Sequence, residues 1–239
     1  MSKTKDSRFL IIPDVHGRTF WKEAVQTQEY DKVIFLGDYV DPYGEEGVSD
    51  PEAYRNFSDI LRFKKEQKDR VVLLLGNHDL HYASNRFRVN ACGTRYNSAL
   101  ADVLQQLFMG YRSFFQLAYQ VCGDQRYLFT HAGVNTAWFH RHESLIQELE
   151  ANRLNHLLDT QKGIDALAEV GTERGGDYPT GSMVWADVDE MKVDTPFEGV
   201  YQFFGHSLAE EPVITEHFAC LDCRKAFMLQ HGEISEIKG

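Results

Sequence analysis

Residues 9–17 read FLIIPDVHG, residues 32–41 KVIFLGDYVD and residues 70–79 RVVLLLGNHD. Each is a short run of apolar residues, Val, Ile, Leu and Phe, that breaks abruptly into glycine, aspartate, asparagine or histidine. Runs that are apolar on both faces describe strands buried on both sides. Between them, 19–28 and 51–68 read as helices. The second has Pro51 at its start and Tyr54, Phe57, Ile60, Leu61 and Lys64 at three-to-four spacing. Strand, helix, strand, helix, strand describes an α/β fold with a parallel or mixed sheet.

Further along, 96–117 reads as two helical stretches split at Gly110, YLFT (127–130) as a strand, and 136–170 as a helical excursion with Leu145, Ile146, Leu149, Leu157 and Leu158 on its apolar stripe. A glycine-rich loop spans 171–182. Short strands follow in YQFF, PVIT, HFACL and AFMLQ. With no linker, repeat or low-complexity segment, residues 1–239 are expected to form a single domain from which 136–170 departs.

The polar groups repeat in position. Asp14 and His16 follow the first strand, Asp38 and Asp41 the second, and Asn77, His78 and Asp79 the third. His131 follows YLFT and His206 follows YQFF. Open α/β sheets place their ligand sites just past the carboxyl ends of strands. Any one of these groups alone reads as a cap or an ordinary satisfied histidine; five clusters on five strand ends read as a site. Oxygen and imidazole donors suit manganese, iron or zinc rather than Cu(I) or an iron–sulfur cluster.

Composition bounds the function. The 239 residues carry a formal charge of -11, which argues against a nucleic-acid binder that must neutralise phosphates. It does not exclude a small phosphorylated substrate, because bound cations reverse the sign locally. The polar opening MSKTKDSRF and the lack of an 18-residue apolar run predict a cytoplasmic protein with no membrane partner. Cys220 and Cys223 form CLDC, readable as half a zinc site or a redox pair. No second pair lies nearby and the stretch alternates like a strand, so packing is the expected role.

DVHG, GDYVD, GNHD, HAG and FGH, in that order over residues 11–206, resemble the calcineurin-like metallophosphoesterases, specifically their phosphoprotein-phosphatase branch. The resemblance implies a four-layer α/β/β/α sandwich with a dinuclear metal centre at the strand ends. It implies Asp14 and His16 as ligands of one metal, Asp38 bridging, and Asn77, His131 and His206 holding the second. It also implies His78 as catalytic histidine and Asp41 as the carboxylate that orients it. The implied reaction is hydrolysis of a phosphomonoester, including phosphoprotein, by in-line attack of an activated hydroxide.

Two departures bear on substrate. Where the family continues GDxVD with arginine and glycine, this chain has Pro42-Tyr43, so the expected phosphate clamp is gone. Arg18, just after HG, and Arg95 are the candidate replacements, with Arg86, Arg88 and Arg174 as further cations within reach of the motifs. GHSL, rather than GHxH, agrees with the phosphoprotein-phosphatase branch, and MVWAD (183–187) is similar to its LLWSD segment. GNHDLHYA and HAGVNTAW also resemble the symmetrical diadenosine tetraphosphate hydrolases. A nucleotide substrate would need bases stacked on aromatics such as Tyr43, Tyr82 or Phe87. His81 either lines the site or packs on the segment that follows. A phosphate-binding scaffold without catalysis is the reading outside enzymes, and none of the six ligand positions it would have lost is missing. Oligomeric state has no signature in the sequence.

Overall fold

The structure, a computed structural model, describes residues 7–237. The polar opening MSKTKD and the last two residues lie outside the described residues. The chain falls into two compact units, residues 7–116 with 224–237, and residues 117–223.

The first unit is built on a mixed sheet. Strands β1 (Phe9–Ile12), β2 (Lys32–Phe35), β3 (Val71–Leu74) and β4 (Phe115–Gln116) run parallel, β10 (Phe227–Gln230) pairs antiparallel beside β1, and β11 (Glu233–Glu236) pairs antiparallel beside β10 at the edge. All of β1 and β3 is buried, as their unalternating apolar sequence requires. Helix α1 (Phe20–Thr27) follows β1. Helix α2 (Asp50–Gln67) starts where Glu52 accepts the Ser49 N–H at 2.9 Å, with Pro51 in the first turn, and it buries Ala53, Phe57, Ile60 and Leu61. Phe57 stacks on Tyr39 at 5.2 Å and meets Phe108 at 4.9 Å. That second contact docks α4 (Ala101–Gly110), which is one helix where the sequence suggested two, for Gly110 ends it. A 3-10 turn at 112–114 then leads into β4. Helix α3 (Asn77–Ala83) leaves β3 directly.

The second unit has its own sheet, in the order β5 (Tyr119–Cys122), β6 (Arg126–Phe129), β7 (Val200–Phe204), β9 (Phe218–Cys220), β8 (Val213–Ile214). The central three strands are parallel and the edges antiparallel. Phe129 and Phe203 stack at 4.8 Å on neighbouring strands. The stretch 136–170 is helical but broken into α5 (Thr136–Arg141), α6 (Glu143–Ile146), α7 (Ala151–Asn155) and α8 (Gln161–Leu167). Its punctuation is chemical. Asn135 caps α5 by accepting the Ala137 N–H at 2.9 Å, Gln147 ends α6 at φ 68°, and Thr160 accepts the Gly163 N–H at 3.0 Å to open α8. Helix α9 (Val188–Lys192) precedes β7. Cys220 closes β9, and it and Cys223 are buried and not joined in a disulfide, as packing predicts.

The α/β class read from the sequence is the class observed. In each sheet, taken by itself, the polar motifs follow the ends of parallel core strands.

Candidate metal centre and proton donor

In the first unit, Asp14 and His16 lie just past β1, Asp38 and Asp41 past β2, and Asn77 and His78 at the start of α3 after β3. All six are buried. His16, Asp38 and Asp41 have φ of 44°, 50° and 60°. Non-glycine residues seldom adopt this left-handed region, and such conformations cluster where a site demands a particular aim. Gly17 is at φ 79°, and a Cβ there would come within 2.8 Å of the Ala53 Cβ and 2.9 Å of Val48, so the turn after His16 closes directly onto α2.

His16 has its Nδ1 2.8 Å from the Val40 carbonyl, so Nδ1 carries the proton and donates it, and the Nε2 lone pair faces the other way. There Nε2 lies 3.5 Å from an Asp38 carboxylate oxygen and 3.9 Å from one of Asp14. Ligand atoms of Asp14, His16 and Asp38 all fall within 4.8 Å of one another. Burial, reinforced by the neighbouring His78 and Arg95, holds His16 well below the usual histidine range, so the ring is neutral at pH 7. Burial pushes the Asp38 carboxyl up, with His78 opposing and Asp14 adding. Two buried carboxylates beside a neutral imidazole, its second nitrogen fixed by a carbonyl, are an electrostatic debt that a divalent cation discharges. The residues present fit a metal.

His78 adjoins this set. Its Nδ1–H donates to Asp41 Oδ2 at 2.7 Å and its backbone N–H to Asp38 Oδ1 at 3.0 Å. The other Asp41 oxygen accepts the Tyr82 hydroxyl at 2.5 Å, and that hydroxyl accepts the Asn97 N–H at 2.8 Å. Tyr82 is held far above the ordinary phenol range by burial and by Asp41, so it stays a donor. His81, one turn after His78, is buried with its ring 5.6 Å from that of His78. Burial pushes it down to about 3.

Asp79 is the residue that sequence reading left without a role. It is fully buried and accepts three backbone N–H groups, those of Asp38 at 2.7 Å, Gly76 at 2.9 Å and Tyr39 at 3.0 Å. One carboxylate thereby joins the turn after β2 to the turn before α3. Only its place inside GNHD marked it.

In the second unit, His131 follows β6 and His206 follows β7. Both are buried, with Nε2 of the first 3.1 Å from Nδ1 of the second. His206 is again left-handed, at φ 66°. Its carbonyl accepts Arg174 Nη2 at 3.3 Å, which also donates to the Ser207 hydroxyl at 2.7 Å, while Arg174 Nε pairs with Asp187 at 2.7 Å. The edge of the Trp185 ring meets His206 at 5.9 Å. The MVWAD segment and Arg174 thus brace the His206 turn.

Of the other candidate cations, Arg18 gives Nε and Nη2 to Glu46 at 2.6 and 2.8 Å and Nη1 to the Asp14 carbonyl at 3.2 Å. Arg95 puts Nε 3.0 Å from the Asp41 carbonyl and Nη2 3.2 Å from His16 Nε2. Arg86 is exposed and Arg88 half-buried.

Buried oxygen and nitrogen donors on strand ends of an α/β fold, next to a carboxylate-oriented histidine, define a metal-dependent hydrolase. The calcineurin-like phosphoesterase family matches residues 7–210, and the chain belongs to that family. It is a metallophosphoesterase-type hydrolase. Among solved structures it is similar to a protein serine/threonine phosphatase from Saccharomyces cerevisiae, at 14% identity and TM-score 0.52, covering 100% of this chain and 82% of that one. A metallophosphoesterase from Sphaerobacter thermophilus matches at 23% identity and TM-score 0.34, over 53% of this chain and 46% of that one. A putative 5'-nucleotidase from Staphylococcus aureus matches at 12% identity and TM-score 0.37, over 97% and 52%. No curated protein matches the chain. No helix among the described residues is long and apolar enough to cross a membrane.

Proposed function

We propose that this chain hydrolyses phosphomonoesters, phosphoprotein among them, as a member of the phosphoprotein-phosphatase branch. Asp14, His16 and Asp38 would hold one metal, and the family pattern assigns Asn77, His131 and His206 to a second. Manganese, iron and zinc all suit these donors. Two such ions, when bound, supply an activated water and neutralise the phosphoryl oxygens. The chain's own part is positioning. Asp41 fixes the His78 ring through Nδ1, which aims Nε2 away from the carboxylate as the proton donor to the departing oxygen. Tyr82 holds Asp41 from its far side.

One observation favours a monoester over a dinucleoside polyphosphate. The aromatics that could stack bases are already engaged. Tyr82 is fully buried against Asp41, Phe87 is buried, and the Tyr43 ring lies 3.6 Å from the Arg95 guanidinium. A buried ring has no face for a base, and the stacked guanidinium takes one face of Tyr43.

The test is an assay of manganese-loaded protein on p-nitrophenyl phosphate, a phosphopeptide and diadenosine tetraphosphate. Turnover of the first two supports the reading, and preference for the phosphopeptide supports the protein-phosphatase branch. Preference for the dinucleotide overturns it in favour of anhydride hydrolysis. No turnover of any, with metal content verified, leaves a phosphate-binding scaffold.

A further inference from the structure

The arginines near the motifs differ in what they hold. Arg18 is consumed by a two-pronged pair with Glu46, and Arg174 by its pair with Asp187. Arg95 is half-buried yet has no carboxylate within ion-pair distance among the described residues. Arginine is seldom withdrawn from water without an anion to meet it.

Its placement is nevertheless firm. The guanidinium carbon lies 3.6 Å from the Tyr43 ring centroid, a close face-on stack, while Arg18 approaches the same ring at 5.1 Å. The edge of the Tyr43 ring meets His16 at 5.1 Å. Nε is tied to the Asp41 carbonyl, 54 residues away in sequence, and Nη2 lies 3.2 Å from His16 Nε2. Nη1 has no hydrogen-bond partner among the described residues. The charge is felt at Asp38 and at His16. A flat cation is therefore clamped by an aromatic face and one carbonyl, beside the carboxylate–imidazole set and the Asp41 that orients His78. Its remaining N–H groups stay available, and a phosphoryl group is the ligand whose paired oxygens fit a guanidinium edge.

We propose that Arg95 is the residue that grips the substrate phosphoryl group and that Tyr43 is the platform that holds it there. Pro42-Tyr43, an interruption when read along the motif, is then a device for presenting a guanidinium from a distant segment. Arg18, committed to Glu46 and to the Asp14 carbonyl, braces the loop from the other side and does not touch substrate. The inference rests on the phosphohydrolase reading above.

Inorganic phosphate is the probe. Its binding to manganese-loaded protein is measured by calorimetry, with metal content determined on the same samples. Arg95→Ala is expected to weaken phosphate binding by about tenfold to a hundredfold, the worth of a charged hydrogen-bond partner, with metal content unchanged. Arg95→Lys restores only part, because a lysine lacks the planar stack and the paired donors. Tyr43→Leu shifts binding in the same direction as Arg95→Ala, and Tyr43→Phe, which keeps the ring, restores it. In turnover the loss appears in KM at least as strongly as in kcat.

Arg95→Ala that binds phosphate within twofold of the parent overturns the proposal while leaving the hydrolase reading intact. So does Arg95→Ala that loses metal, since the arginine would then be a support for His16. A parent protein that holds metal but neither binds phosphate nor turns over any ester overturns both.

Discussion

The Asp79 carboxylate accepts the backbone N–H of Asp38 at 2.7 Å, and that single bond fixes the turn on which the candidate bridging ligand stands. Asp79 also takes the N–H groups of Tyr39 and Gly76, so one buried side chain sets the spacing between two strand-end turns. Asp79→Asn keeps the size but puts an amide N–H where an acceptor is needed. The expected loss is about 2–4 kcal/mol of stability in urea unfolding, from hydrogen bonds to a charged group and donors left unpaired. Metal affinity should fall with it, because Asp38 is no longer aimed. An unchanged midpoint together with full metal content would show that the turns hold themselves.

The His78 pair yields a graded test. His78→Asn should lower turnover by about 10²–10⁴-fold, the contribution of a positioned proton donor, and most for esters with a poor leaving group. Tyr82→Phe removes only the hydroxyl, which Asp41 Oδ1 accepts and which itself accepts the Asn97 N–H. Turnover should drop by about tenfold, the worth of one hydrogen bond to a charged group, with metal content unaltered. A Tyr82→Phe enzyme as slow as His78→Asn would mean that Asp41 needs Tyr82 to stay in place at all.

Gly17 offers a prediction from geometry alone. Gly17→Ala brings a Cβ to 2.8 Å from Ala53 and 2.9 Å from Val48, on backbone at φ 79°. Both contacts lie on the turn that follows His16, so relief must move that turn or α2. The variant should lose about 1–3 kcal/mol of stability, as overpacked sites do, and bind manganese more weakly. Equilibrium unfolding and metal titration read the two effects separately.

Much of this was legible in the sequence, for a physical reason. Strands buried on both faces leave no alternation to misread, so β1, β2 and β3 stood out, and the residues just past them are those that parallel strands gather. The excursion at 136–170 was harder, because an apolar stripe shows helical character but not its breaks. Those depend on the Asn135 and Thr160 caps and on a left-handed Gln147. What Asp79 and Tyr82 do could not be read, since each acts through a partner far along the chain, Asp38 and Asp41; Arg95 stood in the sequence as a candidate phosphate binder, but its stack on Tyr43 did not show there. A spacing rule sees none of these pairs.

His81 gives the protein an acid-sensitive element whose sign can be worked out. Burial first, and the neighbouring His78 second, push its folded-state value down to about 3, against an ordinary histidine near 6.5. Well above pH 7 both folded and unfolded chains leave it neutral, and it contributes no pH dependence. Below about 6.5 the unfolded chain takes up a proton that the folded chain refuses, so folding weakens as pH falls, until the folded value is passed near 3. In that window the slope is at most roughly 1.4 kcal/mol per pH unit from this one group. His81→Leu fills much of the same space without a titratable nitrogen. The stability difference between parent and variant, measured by urea unfolding of metal-free protein at pH 7 and pH 5, should therefore move in favour of the variant at the lower pH. His16 is common to both proteins and cancels in the comparison. A difference that stays constant across that interval would mean that His81 titrates in the folded protein much as it does in the open chain.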